Sequence, residues 1–302
     1  MVKKEEFGGM MAALVANMIF GFSFIFSKLA LSVSQPLVIL AVRFTFAFIF
    51  LNLLLLTGKI KISLKGKPKK RIFLMAICQP LLYFIFELYG LSLVSSALSG
   101  VIISLVPVAV MLLAVFFLKE KPTAIQVICT LLSIASVAAI SVISNDNSKN
   151  YFWGIIMLVL AVACAAVFNL LSRSESENFN PFERTYAMFL IGFIGFNILG
   201  FVSLKGEYIP ELLRAVSNIK FIAAILYLSL ASSVLAFLLY NYSTSKISAV
   251  QSSSFSNIIT VVTVMAGVVF LKEKFTFVEY LLCLIIILGV WGVNVFTNKK
   301  TA

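Results

Sequence analysis

Three charged residues lie well inside long apolar stretches of the chain: Lys28, Arg43 and Glu87. A charge in the hydrocarbon of a bilayer is costly, so such residues usually line a polar path or pair with one another. A helical rise of about 1.5 Å per residue places all three in the outer half of the predicted membrane. Glu87 is expected to pair with Arg43 or Lys28, which leaves one positive charge for a carboxylate or phosphate of a bound molecule. The alternative is that Lys28 reaches the headgroups and that Arg43 and Glu87 form a static buried pair.

Polar residues at helical spacing extend this set of candidates. Gln79, Tyr83 and Glu87 recur at every fourth position and therefore share one helix face. The predicted binding residues are polar and aromatic side chains near such faces: Asn17, Phe20, Arg43, Tyr83, Glu87, Asn169, Tyr186, Tyr240, Gln251 and Asn257. Glu87 is also the predicted coupling acid, because a carboxyl group can take up and release a proton. Hydrogen bonding between helices is the alternative role for these residues.

The composition indicates an integral membrane protein. Of the 302 residues, 61% are hydrophobic and 12% are charged, whereas soluble domains are about half apolar and a quarter charged. Apolar stretches of about 20 residues, enough to cross roughly 30 Å of hydrocarbon, predict ten helical spans. Their limits are 10–31, 36–57, 71–92, 95–118, 123–144, 151–172, 182–204, 219–241, 248–271 and 277–297. Pro107 lies in the middle of the fourth span and is predicted to be a hinge, with a fixed kink as the alternative.

The lysines and arginines account for the net charge of +12 without a nucleic-acid partner. They cluster between spans, above all in the segment 59–71, and cytoplasmic connections are enriched in these residues. This bias predicts that both termini are cytoplasmic and that the segment contacts anionic lipid. The chain has no histidine, and its four cysteines all lie within spans without metal-ligand spacing. No metal or other cofactor is therefore expected.

The chain contains an internal repeat. Residues 118–123 (LKEKPT) return as residues 271–276 (LKEKFT), an offset of 153 residues (271 − 118) that also pairs Phe84 with Phe237. Upstream, an offset of 145 residues (173 − 28) pairs Lys28 with Arg173. The repeat divides the chain into residues 1–146 and 147–302, each with five predicted spans. Because five is odd, the second half is inverted relative to the first. The predicted fold is all-α, with ten transmembrane helices in two inverted five-helix repeats.

The order of several short motifs resembles that of the drug/metabolite transporter superfamily, specifically its EamA-type ten-helix members. The resemblance covers both halves, roughly residues 10–144 and 151–297. The matching stretches are residues 17–23 (NMIFGFS) followed by Lys28, Pro36 with Arg43-Phe44, Pro107, Leu118-Lys119-Glu120 and Glu273. Two positions depart from the pattern: Phe20 stands where the family often has tryptophan before glycine, and Thr260 stands at the repeat position of Pro107. The resemblance implies a carrier of small metabolites, often an exporter.

The membrane composition, the repeat and the resemblance together predict a secondary transporter that exposes a central site to one side at a time. The expected activity is export of amino acids or related amphipathic compounds, and multidrug or amine efflux is an alternative. The chain has no GxxxxGKS/T segment, so no ATP-binding partner is expected and a proton or counter-solute would drive transport. The alternatives from other classes are a membrane enzyme acting on lipids and a channel. The expected location is the bacterial inner membrane, crossed in several passes.

Overall fold

The computed structural model describes residues 4–57, 62–63, 66–118, 123–143, 149–247, 249–272 and 276–295. Its regular structure is helical, and these residues contain no strand. Residues 119–121 and 273–274 of the two LKEK motifs, the join near residue 146 and part of the lysine-rich segment lie outside the described residues. A helical fold suits a bilayer, because a helix satisfies its own backbone polar groups. The predicted all-α fold is confirmed for this part of the chain.

The α-helices follow one another with short connections. They are α1 (Lys4–Leu31), α2 (Pro36–Leu56), α3 (Lys69–Ala76), α4 (Tyr83–Leu93), α5 (Ser96–Ile103), α6 (Val106–Leu118), α7 (Ala124–Ile143), α8 (Lys149–Ser174), α9 (Pro181–Leu204), α10 (Tyr208–Val216), α11 (Ile219–Leu226), α12 (Ala236–Lys246), α13 (Ala249–Ser254), α14 (Ser256–Phe270) and α15 (Phe277–Val295). A first π-helical turn (Ile77–Leu82) joins α3 to α4, and a second (Tyr227–Leu235) joins α11 to α12.

Eight helical segments of the described chain are long and apolar enough to cross a membrane. They are Glu5–Leu31, Pro36–Leu56, Lys69–Leu93, Ser96–Leu113, Asn150–Glu177, Pro181–Val216, Ile219–Lys246 and Gln251–Phe270. Two shorter apolar helices, Ala124–Val137 and Phe277–Gly289, occupy the positions of the fifth and tenth predicted spans. The chain is therefore a multi-pass membrane protein, and the count of ten spans stays a prediction.

The principal helix contacts join the first half of the chain to the second. α1 packs against α12 and α14, and α4 packs against α8. α2 packs against α9, α5 against α14, and α7 against α15. Large aromatic side chains fill these contacts, and Phe44, Phe168, Phe189 and Phe237 are each at most 1% exposed. Side chains of both halves therefore meet in the centre of the molecule.

α14 approaches α1 and α5 closely because each of those helices turns a glycine toward it. A Cβ atom added to Gly100 would lie 2.6 Å from the Cβ of Thr263, and one added to Gly21 would lie 2.6 Å from the Cβ of Val262. The Thr263 hydroxyl donates to the carbonyl oxygen of Gly21 at 3.0 Å. The Thr260 hydroxyl donates to the carbonyl oxygen of Gly100 at 3.2 Å. Small residues at helix contacts permit this approach in membrane proteins.

Replacing Gly100 with alanine is expected to lower the free energy of unfolding by about 1–3 kcal/mol. The new methyl group would overlap the branched Cβ of Thr263, which is bonded to the backbone and cannot turn away. Thermal unfolding of the purified protein in detergent measures the change. Gly206→Ala is the matched control, because nothing lies within 4 Å of a methyl group added there. Equal unfolding midpoints for the two variants would contradict the tight contact between α5 and α14.

Two prolines occupy different positions relative to the helix breaks. Gln79, which precedes Pro80, has a non-helical backbone with φ −146° and ψ 116°. Pro107 is the second residue of α6, where proline is tolerated because its missing N–H group would have no partner in the helix. The break between α5 and α6 at residues 104–105 precedes Pro107. A hinge at Pro107 stays a prediction, and the third span is also interrupted, at Gln79 directly before Pro80.

Candidate functional site

A cavity lies where the two halves of the chain meet. It contains about 580 Å³ of empty space, including the part open to solvent. Its polar lining residues are Asn17, Ser23, Gln79, Glu87, Asn169, Ser232 and Ser256, and its aromatic lining residues are Phe20, Phe24, Tyr83, Phe84, Phe168, Phe237 and Tyr240. Both halves contribute, so neither half forms the cavity alone. The mixed apolar and polar lining is typical of a site for a small molecule.

Glu87 is the charged residue among those that line the cavity. It projects from α4 and is 3% exposed, and its Oε2 atom has no hydrogen-bond partner within the described residues. Gln79 and Tyr83, which precede it in steps of four residues, also line the cavity. A buried carboxylate needs polar partners, so Glu87 is the candidate polar anchor of the cavity.

Aromatic rings form a wall of the cavity. The ring of Phe237 packs edge-on against Phe20, with 5.1 Å between the ring centroids, and against Phe84, with 6.1 Å. Phe168 stacks on Tyr240 with 6.2 Å between the centroids. These rings come from α1, α4, α8 and α12, and each holds its neighbours in place. The wall is therefore a preformed surface for an apolar or cationic group.

Two asparagines add polar groups to the lining. The side-chain nitrogen of Asn17 donates to the carbonyl oxygen of Ala13 at 2.7 Å, and that of Asn169 donates to the carbonyl oxygen of Ala165 at 2.8 Å. The Asn169 side-chain oxygen accepts a hydrogen bond from the Tyr240 hydroxyl. Because the nitrogen of Asn17 bonds within its own helix, the other polar atom of this side chain is an oxygen, which is an acceptor.

Arg43 does not line the cavity, and the predicted pair with Glu87 is not formed. The guanidinium group donates to Ser233 Oγ at 2.8 Å and to Ser232 Oγ at 3.1 Å, and it lies 4.3 Å from the ring centroid of Phe84. The ion pairs of the described chain do not include Arg43 with Glu87. The physical reason is that α2 packs against the second π-helical turn, whose serine hydroxyls supply neutral acceptors.

Lys28 is also engaged away from the Glu87 carboxylate. Its Nζ atom donates to the carbonyl oxygen of Val94, at the end of α4, at 2.6 Å. Arg173, its repeat partner at an offset of 145 residues, donates to the carbonyl oxygen of Thr244 in the last turn of α12 at 3.0 Å. Cations near helix C-termini stabilise the unpaired carbonyl groups there. Lys28 and Arg173 thus stabilise the ends of helices.

Three further predicted residues lie outside the cavity lining. The Tyr186 hydroxyl donates to Asn52 Oδ1 at 3.1 Å, which joins α9 to α2. Gln251, in α13, is exposed. Asn257, in the first turn of α14, is half-buried, and its Oδ1 atom has no partner among the described residues. A role for these three in binding stays a prediction.

The prediction missed several residues that line the cavity, including Phe84, Phe168, Phe237, Ser232 and Ser256. One signal for Phe84 and Phe237 was present, because they form a repeat pair at an offset of 153 residues. Ser232 is likewise the repeat partner of Gln79, which belongs to the polar stripe of the third span. Phe168 carries no comparable signal, since it is one of 29 phenylalanines in the chain.

Arg184 is the centre of a second polar cluster, which lies away from the cavity. It is 0% exposed, and its Nη1 atom donates to the Ser172 carbonyl oxygen at 2.6 Å and to Thr244 Oγ1 at 2.9 Å. Its Nη2 atom donates to the carbonyl oxygen of Asn241. These bonds tie α9 to the ends of α8 and α12.

Three ion pairs connect the two halves of the chain at the same end of the molecule as Arg184. They are Lys67–Glu183 at 2.6 Å, Arg71–Glu175 at 3.8 Å and Lys246–Glu5 at 2.9 Å. We call this end, which includes the described part of the lysine-rich segment, the basic end. Within the described residues the halves share no ion pair elsewhere. These polar contacts thus hold the two halves together at the basic end.

These features define a class: a multi-pass helical membrane protein with a small-molecule cavity between its two halves. Within that class, the model of the EamA-like transporter family matches residues 7–142 and 152–295. The chain belongs to the EamA-like transporter family and is a membrane transporter of small molecules. Among the described residues, no group of three or more histidine, cysteine, aspartate or glutamate side chains is arranged to hold a metal ion.

Two relatives support the assignment, and one solved structure supports the fold. The chain is 34% identical over 307 residues to the uncharacterized transporter YcxC of Bacillus subtilis, covering 100% of this chain and 97% of YcxC. It is 26% identical over 257 residues to an uncharacterized transporter of Archaeoglobus fulgidus, covering 85% of this chain and 87% of the relative. A crystal structure with 14% sequence identity has the same fold, with a TM-score of 0.67 over 94% of this chain and 97% of that chain.

Proposed function

We propose that the protein is a secondary-active transporter that exposes its cavity alternately to the two sides of the membrane. The position of the cavity carries the proposal, because its lining residues come from both halves of the chain. They lie between residues 17 and 106 and between residues 165 and 259. Relative movement of two such halves would open one access path while closing the other. The solute would bind against the aromatic wall, with its polar groups toward Glu87 and Asn17.

Several observations support two inverted five-helix repeats, residues 1–146 and 147–302. The contact of α1 with α12 has a counterpart in the contact of α8 with α4, as expected if the halves exchange roles. The π-helical turns contain Gln79 and Ser232, which are repeat partners at an offset of 153 residues. The family model also matches each half separately, at residues 7–142 and 152–295. The lysine-rich segment supports cytoplasmic termini in a bacterial inner membrane.

Glu87 is the proposed coupling acid. Its side chain lines the cavity, and the charged and titratable groups near it are Arg43 from α2 and Tyr83 from α4 itself. Tyr240 from α12 lies near Tyr83 and also lines the cavity. A carboxyl group that is exposed to each side of the membrane in turn could accept a proton on one side and release it on the other. Exchange with a counter-solute is the alternative source of energy.

Amino acids and amines are the two candidate solutes, and we propose export as the direction. Both carry an ammonium group that the Glu87 carboxylate could bind, and both can place an apolar body against the rings. The amine candidate is favoured by one observation. The described residues that line the cavity include a carboxylate and no lysine or arginine.

Replacing Glu183 with glutamine is expected to weaken the contact between the halves at the basic end by about 1–3 kcal/mol. The carboxylate is buried, receives Lys67 Nζ at 2.6 Å and also accepts backbone N–H groups of Ser63 and Asn180, both at 3.0 Å. Thermal unfolding in detergent measures the loss. The matched control is Glu211→Gln, which breaks the exposed Arg214–Glu211 pair within α10 and should cost less than about 1 kcal/mol. A larger loss for the control would contradict the assignment.

Counter-flow in proteoliposomes tests the proposed function. Liposomes containing the purified protein are loaded with a mixed pool of amino acids and amines, and uptake of each labelled compound is measured. We expect saturable uptake of at least one compound, stimulated by the same compound inside. Uptake that rises linearly with concentration, without stimulation from inside, would indicate a channel. No uptake of any compound would count against transport of these solutes.

A further inference from the structure

We propose that the cavity binds an organic cation: a protonated amine with an aromatic or apolar body and no carboxylate group. The inference names a substrate class for the proposed transport site and therefore rests on the proposed function. It comes from the charges that line the cavity and from those that lie behind its walls.

Glu87 provides the first observation. Its side chain lines the cavity and is 3% exposed, yet Oε2 has no hydrogen-bond partner in the part of the chain that the structure describes. A carboxylate removed from water is stable beside a cation that also donates hydrogen bonds. An ammonium group provides three N–H donors and a positive charge in one small group. It would pair with the Glu87 carboxylate where that side chain lines the cavity.

The nearby cations, Arg43 and Lys28, donate their hydrogen bonds to other groups of the protein. Arg43 keeps its positive charge and attracts Glu87 from beyond ion-pair distance, but its N–H groups donate to the hydroxyls of Ser232 and Ser233 and it does not line the cavity. Lys28 donates to the Val94 carbonyl oxygen. A carboxylate on the ligand would therefore meet no lysine or arginine in the described lining. It would instead share the cavity with Glu87, and two carboxylates in one poorly solvated site repel each other. The proposed ligand is therefore a cation rather than an anion.

The side chains of the cavity walls also suit a cation. Phe20, Phe168 and Phe237 line the cavity with aromatic rings, whereas the ring of Phe84 already contacts the Arg43 guanidinium. Aromatic faces attract cations as well as apolar groups, by about 0.5–2 kcal/mol for a well-placed cation. The Asn17 oxygen adds a neutral acceptor, because the nitrogen of this side chain bonds to Ala13. These groups all suit a cation with an apolar body.

The prediction separates amines from amino acids. A zwitterionic amino acid supplies the same ammonium group, but it also brings a carboxylate that has no partner in this lining. Removing that carboxylate from the ligand should therefore raise its affinity. The geometry favours the decarboxylated form of an aromatic or apolar amino acid over the amino acid itself.

Binding to the wild-type protein tests the inference without relying on a variant. The protein is reconstituted in nanodiscs of uncharged lipid, and empty nanodiscs give the background. The three probes share a phenyl ring and differ in charge: 2-phenylethylamine, phenylalanine and 3-phenylpropionate. We expect 2-phenylethylamine to bind at least about tenfold more tightly than phenylalanine, and 3-phenylpropionate to bind no better than background. Equal or tighter binding of either carboxylate probe, or no binding of the amine, would overturn the inference.

Two variants then assign the binding to the cavity. Glu87→Gln is expected to weaken the binding of 2-phenylethylamine at least about tenfold. Glu6→Gln, in the exposed first turn of α1, is the matched control and should leave binding unchanged. Unchanged binding in Glu87→Gln, with the native elution profile on size exclusion, would place the cation elsewhere and overturn the inference.

The inference and the proposed function fail in different ways. Counter-flow of an amino acid together with weak binding of the amine would leave a transporter standing and remove the cation preference. Tight amine binding without counter-flow of any compound would preserve the cation site and count against transport through it.

Discussion

Replacing Glu87 with glutamine is expected to abolish the response of solute flux to an imposed pH gradient. Glutamine keeps the size and the hydrogen-bonding capacity of the side chain, but it cannot carry a proton. Flux in proteoliposomes is measured at several pH gradients for the wild type and the variant, and the gradient-driven part should fall to the level of protein-free liposomes. Counter-flow exchange should continue, because exchange needs the cavity to change sides and does not need the proton.

Two conditions make this comparison decisive. Exchange is measured at saturating solute, because the same carboxylate is proposed to hold the ammonium group and the variant is expected to bind solute more weakly. Glu6→Gln, which removes a carboxylate from the exposed first turn of α1, should retain the wild-type response. The same pH dependence in Glu87→Gln and in the wild type would show that Glu87 is not the coupling acid, and exchange would become the favoured mechanism.

Replacing Arg184 with methionine is expected to cause the largest loss of stability among the variants described here, on the order of 3 kcal/mol or more. The guanidinium group is fully buried and donates to oxygen atoms of Ser172, Asn241 and Thr244. Methionine fills part of the volume and leaves those oxygens without their donor. The expected result is a strongly lowered unfolding midpoint in detergent, or aggregation during purification.

Arg173→Met is the matched control for this prediction. Arg173 is exposed, lies near Arg184 in the fold and donates one hydrogen bond of 3.0 Å, to the Thr244 carbonyl oxygen. Its loss should lower the midpoint only slightly, because water can replace an exposed donor. If Arg184→Met unfolds at the same temperature as Arg173→Met, the buried network does not stabilise the basic end.

The positions of the spans could be predicted because hydrophobic length is a property of the sequence alone. The second span was predicted at 36–57, and α2 runs from Pro36 to Leu56. The face of the third span was partly readable, since helical periodicity puts Tyr83 and Glu87 on one side of α4 and both line the cavity. Gln79 lines the cavity as well, although the helix is interrupted at that residue.

The partners of buried charges could not be predicted, because they depend on how helices rotate and which ones meet. Depth alone made Arg43 a plausible partner for Glu87, but α2 faces the second π-helical turn, and the serine hydroxyls bind the guanidinium. Arg184 was overlooked for a related reason. It lies near the predicted start of a span, where arginine is usually solvated, and only the fold shows that α8 and α12 cover it.

The central claim is that the cavity opens to the two sides in turn, and cysteine labelling tests it most directly. Ser256 lines the cavity, is 5% exposed and differs from cysteine by one atom. Ser256→Cys is placed in a variant without the four native cysteines and treated with a membrane-impermeant thiol reagent from either side of proteoliposomes. We expect labelling from both sides. Adding Glu183→Gln should increase labelling from the basic end and decrease it from the opposite side. Labelling from one side only, or from both sides without this reciprocal change, would contradict alternating access.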